Sequence, residues 1–229
     1  MTEASSPVVR VLPAGAVLPA LPASVPRRAY PGWLRALGRW TMRRMGWRYV
    51  GGFADAPRQV LVAAPHTSNW DGIIGLAAAA ACGVGFSVFA KRQLFRGPVG
   101  WLLRLFGGVP VDRDQPGGLV GGAVERLRGG EARIVAVTPE GTRAAVDRWK
   151  SGWHRMAVEA GVPVAVAALD WGRKQVGIVG TIAPSGNYAA DLGAVGALLA
   201  GVEGKHPERG TLPPSSSEHL PEALHDGRR

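Results

Sequence analysis

The chain alternates between continuous apolar runs and amphipathic stretches, as in sheets covered by helices. Runs rich in Val, Ile and Ala predict strands at 58–64, 85–90, 107–111, 132–138, 162–169 and 175–182. Apolar residues at helical spacing predict helices at 71–82, 97–106, 120–127, 149–160 and 188–201. Since the strand runs are apolar throughout, both faces of the sheet should be covered. The pattern predicts an α/β fold with a mixed, mostly parallel sheet, helices on both faces and an N-terminal amphipathic helix.

The N-terminal amphipathic helix is predicted over 30–50. At about 100° per residue, Arg35, Arg39 and Arg43 share one face. Apolar side chains lie roughly opposite them: Trp33, Leu34, Leu37, Trp40 and Met45. Arg and Trp side chains suit the headgroup level of a bilayer, which favours a helix lying on an anionic membrane. The same pattern fits an amphipathic helix packed on the core, and the sequence leaves both interpretations open.

The two ends of the chain lack such periodicity. Residues 1–29 are rich in Pro, Ala and Val, and we expect a disordered leader there. Residues 204–229 are expected to form a flexible tail. The uncharged stretch 73–90 is close to the minimum length of a transmembrane span, but glycines interrupt it. We therefore expect a helix followed by a strand in that stretch rather than a membrane span.

The chain is strongly basic, with a formal net charge of +10. Eight arginines and one acidic residue fall within 1–50, ahead of the first predicted strand. Such a surplus favours an anionic partner: nucleic acid, an anionic membrane or a phosphorylated substrate. Nucleic acid is the least favoured, because the charge is concentrated in a Trp-rich amphipathic stretch without a base-reading motif. The single cysteine, Cys82, excludes an intramolecular disulfide and a cysteine-rich zinc site.

Polar residues follow several predicted strands, where α/β folds usually place their chemistry. His66 directly follows the strand 58–64, and Asp71 opens the next helix, with Ser68 or Asn69 as its cap. Across a strand–turn–helix junction a carboxylate can reach back to an imidazole, which would make His66 a general base oriented by Asp71. On spacing alone, a turn histidine and a helix-capping aspartate are the favoured interpretation, because the spacing of His66 and Asp71 is a weak pattern.

Three further groups follow other predicted strands. The run 107–113 ends in Asp112 and Arg113, and the turn 138–143 reads Thr-Pro-Glu-Gly-Thr-Arg. In that turn a glycine permits close approach of the backbone to a ligand, and Arg143 offers a fork suited to phosphate. Lys91 and Arg92 follow the strand 85–90 and are candidates for contacts with phosphate or coenzyme A. Salt-bridged or solvated turns are the alternative for all three groups.

Taken in order, these groups resemble the conserved blocks of the glycerolipid acyltransferases of the lysophosphatidic-acid acyltransferase type. The matching blocks are His66 with Asp71, the run 107–113, the turn 140–143 and the Val-Pro-Val run 162–164. The resemblance covers about residues 58–184. The chain departs from the family's usual residues at three positions, Pro65, Pro110 and Ala165. Pro110 lies in the second block, so the resemblance defines the reaction better than the acceptor.

The resemblance also implies roles for individual residues. His66 would deprotonate an acceptor hydroxyl, and Asp71 would orient its ring and stabilise the imidazolium. The acceptor phosphate would be held by arginines, with the remaining residues of the third block lining or orienting the site. The substrate-binding residues implied in this way are Arg113, Glu140, Gly141, Thr142 and Arg143, to which our own reading of the strand ends adds Lys91.

The function expected on this basis is O-acyl transfer from a thioester donor to a lysophospholipid-type acceptor, with 1-acylglycerol-3-phosphate favoured. The donor would be acyl-CoA or acyl carrier protein, acting as a co-substrate, with no resident cofactor and no metal. The catalytic domain would span 51–203, and the protein would sit peripherally on the cytoplasmic face of the cell membrane. Two alternatives stay open: the same chemistry on an amino lipid or glycolipid acceptor, and a non-enzymatic membrane-binding module.

Overall fold

The computed structural model describes residues 21–111, 118–130, 133–210 and 212–213. Its strands are β1 (Arg48–Gly51), β2 (Gln59–Ala64), β3 (Ser87–Lys91), β4 (Gly108–Val111), β5 (Ile134–Val137), β6 (Val164–Asp170) and β7 (Gln175–Ile182). Its helices are α1 (Gly32–Arg44), α2 (Asn69–Cys82), α3 (Gly97–Leu105), α4 (Gly118–Gly129), α5 (Gly152–Ala160) and α6 (Tyr188–Leu198). These elements agree closely with the predicted strands and helices.

The strands of the described residues form one sheet in the order β1-β7-β6-β2-β5-β3-β4. Neighbouring strands run parallel except β6 and β7, which are antiparallel. The predicted α/β fold with a mixed, mostly parallel sheet is therefore confirmed. Because β2, β3, β5 and β6 run in one direction, their carboxyl ends meet at one edge of the sheet, which is where ligand sites of such folds gather.

The larger core lies on the face of the sheet covered by α4, α5 and α6. Inward-facing valines and alanines of β2, β5 and β6 pack there against Leu127 of α4, Trp153 and Met156 of α5, and Val195 of α6. All seven residues of β6 are buried, as expected for a central strand covered on both faces. This core holds β2 and β6 rigidly, and both strands end at the edge that carries the candidate site.

The opposite face is covered by α1, α2 and α3. Helix α1 packs against α2 at Gly38, where a Cβ atom would lie 2.5 Å from the carbonyl oxygen of Ala77. Helix α2 presents mainly Ala and Gly to the sheet. Small side chains fill little of the space between helix and sheet, so a cavity remains on this face.

The predicted helix 30–50 is wrong at its carboxyl end. Helix α1 ends at Arg44, and Gly46 turns the chain at a φ of +73°. The chain then enters β1, which pairs in parallel with β7, with Arg48 opposite Gln175 and Gly51 opposite Ile178. Residues 48–50 therefore belong to the central sheet rather than to a separate interfacial helix.

The predicted leader and tail are also corrected in part. Within the described segment 21–29, Val25 is buried and Arg27 forms an antiparallel bridge to Val84. At the other end of the chain, residues 204–210 pack against the loop that follows β2, and Gly204 is buried there. Residues 1–20 and 214–229 lie outside the described residues.

The uncharged stretch 73–90 divides between α2 and β3, as expected. Among the described residues, none of the helices combines the length and the apolar character that crossing a bilayer requires.

Candidate active site

The loop between β2 and α2 is shaped by an N-terminal capping box. The Ser68 side chain, at the cap position, accepts a hydrogen bond from the backbone N–H of Trp70. The side chain of Asp71, the third residue of the helix, reaches back to the backbone at the cap. Its Oδ2 accepts the backbone N–H groups of Thr67 and Ser68, each at 2.7 Å. The helix start thus fixes the Asp71 carboxylate within the loop.

His66 leaves β2 just before this loop and turns its ring towards the same carboxylate. Its Nδ1 lies 3.4 Å from Asp71 Oδ2, and its side chain is 21% exposed against 1% for that of Asp71. With Nδ1 facing Asp71, Nε2 is the ring nitrogen that is left for a substrate. A neutral imidazole oriented in this way can accept a proton at Nε2.

The second carboxylate oxygen of Asp71 has a distant partner. Trp171, directly after β6, donates its indole Nε1–H to Asp71 Oδ1 at 2.7 Å. Burial raises the pKa of Asp71, but hydrogen bonds from His66, Ser68, Trp171 and Thr67 outweigh it and leave the pKa below its ordinary value. Asp71 is therefore a carboxylate at neutral pH, suited to stabilising an imidazolium.

Glu140 brings the turn after β5 into the site. It is buried, and its Oε1 accepts the backbone N–H of His66 at 3.0 Å. Within the described residues its other oxygen, Oε2, has no hydrogen-bond partner. Burial raises the pKa of Glu140, partly offset by hydrogen bonds from its own backbone and from that of His66. This carboxyl therefore supports the main chain at His66.

The rest of the Glu-Gly-Thr-Arg turn lies at the surface beside the α2 loop. Arg143 donates to the side-chain oxygen of Asn69, which links the first and third sequence blocks. Gly141 has a φ of +64°, a backbone conformation that favours glycine, and Lys150 Nζ approaches to 2.7 Å from the position a Cβ would take. Thr142 accepts the N–H of Ala144 and is exposed.

An apolar cavity of about 400 Å³ begins at the His–Asp pair. It lies between the sheet and helices α2 and α3, and both His66 and Asp71 line it. Its far end is reached by Leu21, Phe53 and Phe86. The cavity therefore runs along the strands, from the carboxyl edge of β2 towards the opposite edge of the sheet.

The structure describes the remaining candidates only in part. Lys91 ends β3 at the same edge of the sheet as His66, and Arg92 begins the 3-10 turn that follows. Arg113 lies outside the described residues. His66, Asp71, Glu140 and the turn to Arg143 are thus brought together, and Lys91 shares their edge of the sheet.

Comparison with known proteins agrees with this arrangement. A family model described as Acyltransferase matches residues 49–169, which run from β1 through β6. The chain belongs to the acyltransferase family. The match includes the His–Asp loop and the Glu-Gly-Thr-Arg turn, so the resemblance predicted from the sequence blocks is confirmed at the level of the family. None of the curated protein sequences compared with this acyltransferase matches it significantly.

The fold is similar to that of a solved structure, the 1-acyl-sn-glycerophosphate (LPA) acyltransferase PlsC from Thermotoga maritima. The TM-score is 0.50 at 22% sequence identity, covering 68% of this chain and 69% of that chain. At this identity the likeness concerns the fold. The chain is therefore an acyltransferase with an α/β architecture of the kind seen in PlsC.

Sequence reasoning missed Trp171 and Lys205. Trp171 immediately follows β6, which ends at the same edge as β2, so the rule that led to His66 would also have selected it. Lys205 lies in the segment expected to be a flexible tail, yet its Nζ is 4.9 Å from the ring centroids of both Trp70 and Trp171. No local pattern identifies such a contact.

Proposed function

We propose that this acyltransferase moves a fatty acyl group from a thioester donor to the hydroxyl of a lysophospholipid-type acceptor, with 1-acylglycerol-3-phosphate favoured. The observation that carries the proposal is the position of His66, which is paired with Asp71 at one end of a long apolar cavity. A base next to a chain-length apolar cavity is what transfer of a fatty acyl group requires.

The reaction needs one base and no covalent acyl-enzyme. His66 Nε2 takes the proton of the acceptor hydroxyl while that oxygen attacks the thioester carbonyl carbon. The new ester C–O bond forms as the C–S bond breaks, and the imidazolium returns its proton to the departing thiolate. Asp71 holds the tautomer and stabilises the transient positive charge. The donor, acyl-CoA or acyl carrier protein, is a co-substrate, and the scheme uses neither a resident cofactor nor a metal.

The composition of the cavity supports a fatty acyl ligand. Its walls are made of glycine and apolar side chains of the sheet and of α2, and burial of each methylene group is worth about 0.8 kcal/mol. Gly75 lines the cavity from α2, and a Cβ at this position would meet nothing within 4 Å. A straight hydrocarbon chain can lie along this helix.

Basic groups near the outer side of the His–Asp loop support a phosphorylated acceptor. Arg143 reaches Asn69 of the loop, and Lys150 approaches Gly141. Lys91 ends β3, and Arg113 follows the neighbouring strand β4 in the sequence; we assign both to the same anionic group. Arginine forks and lysine ammonium groups are the common protein ligands of phosphate.

The surface of α1 supports peripheral attachment to an anionic membrane, at the cytoplasmic face in our proposal. Leu34, Gly38 and Met42 face the core, while Trp33 and Trp40 are 57% and 62% exposed. At about 100° per residue, Arg35, Arg39 and Arg43 occupy a third side of the helix. The helix thus packs on the core and also presents tryptophan and arginine outwards, as interfacial helices do.

The acceptor is identified by incubating the purified protein with radiolabelled acyl-CoA or acyl carrier protein and a panel of lysolipids. We expect a labelled diacyl product with 1-acylglycerol-3-phosphate, formed on the order of 10²-fold more slowly, or slower still, by the His66→Ala variant. If product forms only with an amino lipid or a glycolipid, that lipid is the acceptor and 1-acylglycerol-3-phosphate is not. Absence of transfer from either donor to every acceptor would contradict the proposal as a whole.

A further inference from the structure

We infer that Trp171 is a positioning residue of the His–Asp pair, held in place by the segment 203–210. The inference rests on the proposed role of His66 and Asp71. Trp171 donates to Asp71 Oδ1 at 2.7 Å from a position 100 residues further along the chain. This hydrogen bond to Asp71 is its link to the pair, so Trp171 acts through Asp71.

The hydrogen bonds of Asp71 explain why one indole N–H matters. The backbone donors of Thr67 and Ser68, and His66 Nδ1, all approach Oδ2. Among the described donors, Trp171 is the one that holds Oδ1. The donors on Oδ2 hold one side of the carboxylate, and the indole N–H adds a hydrogen bond to the other oxygen, so both oxygens of Asp71 are held in place. The plane of the Asp71 carboxylate in turn sets the direction in which the His66 ring points.

Trp171 is itself held from three sides. Its backbone N–H donates to the carbonyl oxygen of Glu203 at 2.8 Å. Its ring meets the edge of Trp47, with centroids 4.9 Å apart at 89°. Lys205 Nζ lies 4.9 Å from the ring centroid of Trp171 and also of Trp70, so one ammonium group makes cation–π contacts with both rings. The indole is therefore packed in one orientation.

The segment 203–210 also contacts the His–Asp loop directly. The backbone N–H of His206 donates to Thr67 Oγ1 at 3.2 Å. Gly204 approaches Thr67 so closely that a Cβ would lie 2.7 Å from its Cγ2. The same short segment thus fixes both Trp171 and the residue next to His66. This arrangement gives residues after the matched family region a part in positioning the catalytic pair.

The test is Trp171→Phe, which keeps an aromatic ring and removes the N–H donor. We expect kcat to fall roughly tenfold with KM values for both substrates unchanged, because a base that is misplaced reduces the rate of the chemical step. The hydrogen bond from Trp171 lowers the pKa of Asp71, so its loss raises that pKa, and the acidic limb of kcat/KM should move to higher pH. The other charged or titratable groups on the elements packed around this loop include Glu140, Arg143, Glu203, Lys205, His206 and Glu208, and all stay in place.

Trp47→Phe is the matched control. Trp47 contacts the same indole ring, and within the described residues its buried Nε1 has no hydrogen-bond partner. This variant removes an N–H group without removing a hydrogen bond and keeps an aromatic ring beside Trp171, so kcat and the pH profile should change much less than in Trp171→Phe. If Trp171→Phe fails to fold, replacement of Trp171 by benzothienylalanine, in which sulfur takes the place of the N–H, provides the same comparison with an unchanged ring shape.

The outcomes separate this inference from the proposed function. His66→Ala is assayed alongside, and activity retained by that variant would refute the His–Asp mechanism itself. If His66→Ala is inactive while Trp171→Phe has wild-type kcat and an unshifted pH profile, only the role of Trp171 is refuted. Equal losses in Trp171→Phe and Trp47→Phe would also refute it, since they would show that the aromatic packing, and not the hydrogen bond, supports activity.

Discussion

The Nδ1 atom of His66 lies 3.4 Å from Oδ2 of Asp71, an oxygen that also accepts two backbone N–H groups from the loop between the two residues. Asp71 therefore has two roles, because it caps the start of α2 and it faces His66, the base in our proposal. His66 has fewer structural contacts and is partly exposed. Substitutions at the two positions should have different effects on stability.

For His66→Ala we expect a fall in kcat on the order of 10²-fold or more, with little change in stability.

For Asp71→Asn we expect a loss of activity together with a decrease of about 1–3 kcal/mol in the free energy of unfolding, since the NH2 group of the new amide would face buried N–H donors. Acyl transfer and urea denaturation measure the two quantities. His206→Ala is the control histidine, because its contact with Thr67 is made by the backbone. Wild-type stability of Asp71→Asn would contradict the described hydrogen bonds.

Glu140→Gln should become progressively more stable than the wild type as the pH rises. The pKa of Glu140 is raised by burial, so the folded protein holds its proton more tightly than the unfolded chain does. The Glu140 side chain of the wild type makes its full contribution to the free energy of unfolding below the pKa of the unfolded chain, about 4.3. This contribution is lost as the pH rises through the pKa of Glu140 in the folded protein. The measurement is the difference in the free energy of unfolding between the two proteins, compared at pH values below and above this window. A difference that does not change with pH would contradict the raised pKa.

Gly75→Leu should block long acyl chains without unfolding the protein. The side chain would project into the cavity, while replacement of glycine within a helix favours folding by up to about 1 kcal/mol. We expect kcat/KM to fall steeply for long-chain donors and much less for short-chain donors. Gly121→Leu on α4 is the control, since that position is equally open and does not line the cavity. If Gly75→Leu keeps the chain-length preference of the wild type, the acyl chain does not bind in this cavity.

Replacing Trp33 and Trp40 together by Ala should weaken binding to anionic vesicles by more than about tenfold, because each side chain contributes on the order of 1.5–3 kcal/mol when buried in an apolar environment. Vesicle co-sedimentation measures the change, with Val158→Ala on the opposite face of the sheet as the control. Deletion of residues 1–50 is a poorer test, because it also removes most of β1 and the buried Met42. Vesicle binding that survives the double substitution would exclude this face of α1 as the membrane contact.

Arg143→Ala should mainly raise KM for a phosphorylated acceptor and leave the KM for the donor unchanged. The guanidinium lies at the loop that carries His66, where it can bind the acceptor without entering the chemical step. Initial-rate measurements with varied acceptor provide the test. An unchanged KM would favour an acceptor without phosphate.

Most of the architecture could be predicted from the sequence, because strands and helices of this chain are marked by their own hydrophobic periodicity. The strand β1 was missed because four residues, Arg48–Gly51, carry no periodic signal of their own. They become a strand by pairing with β7, more than a hundred residues later in the chain. The orientation of α1 was likewise predicted only in part: Leu34 belongs to the core side, away from the exposed Trp33 and Trp40.

By itself the sequence determined the order of most elements and the four blocks, since these depend on local patterns. The spacing of His66 and Asp71 left their pairing open, and only the order of the four blocks favoured it. The tertiary structure alone decided which atoms complete the site. Trp171 reaches Asp71, and Lys205 joins Trp171 to Trp70, through contacts between residues far apart in the chain. The cavity likewise exists because small residues of α2 face the sheet across a gap. Such contacts depend on the direction of side chains in the packed fold, which local periodicity does not specify.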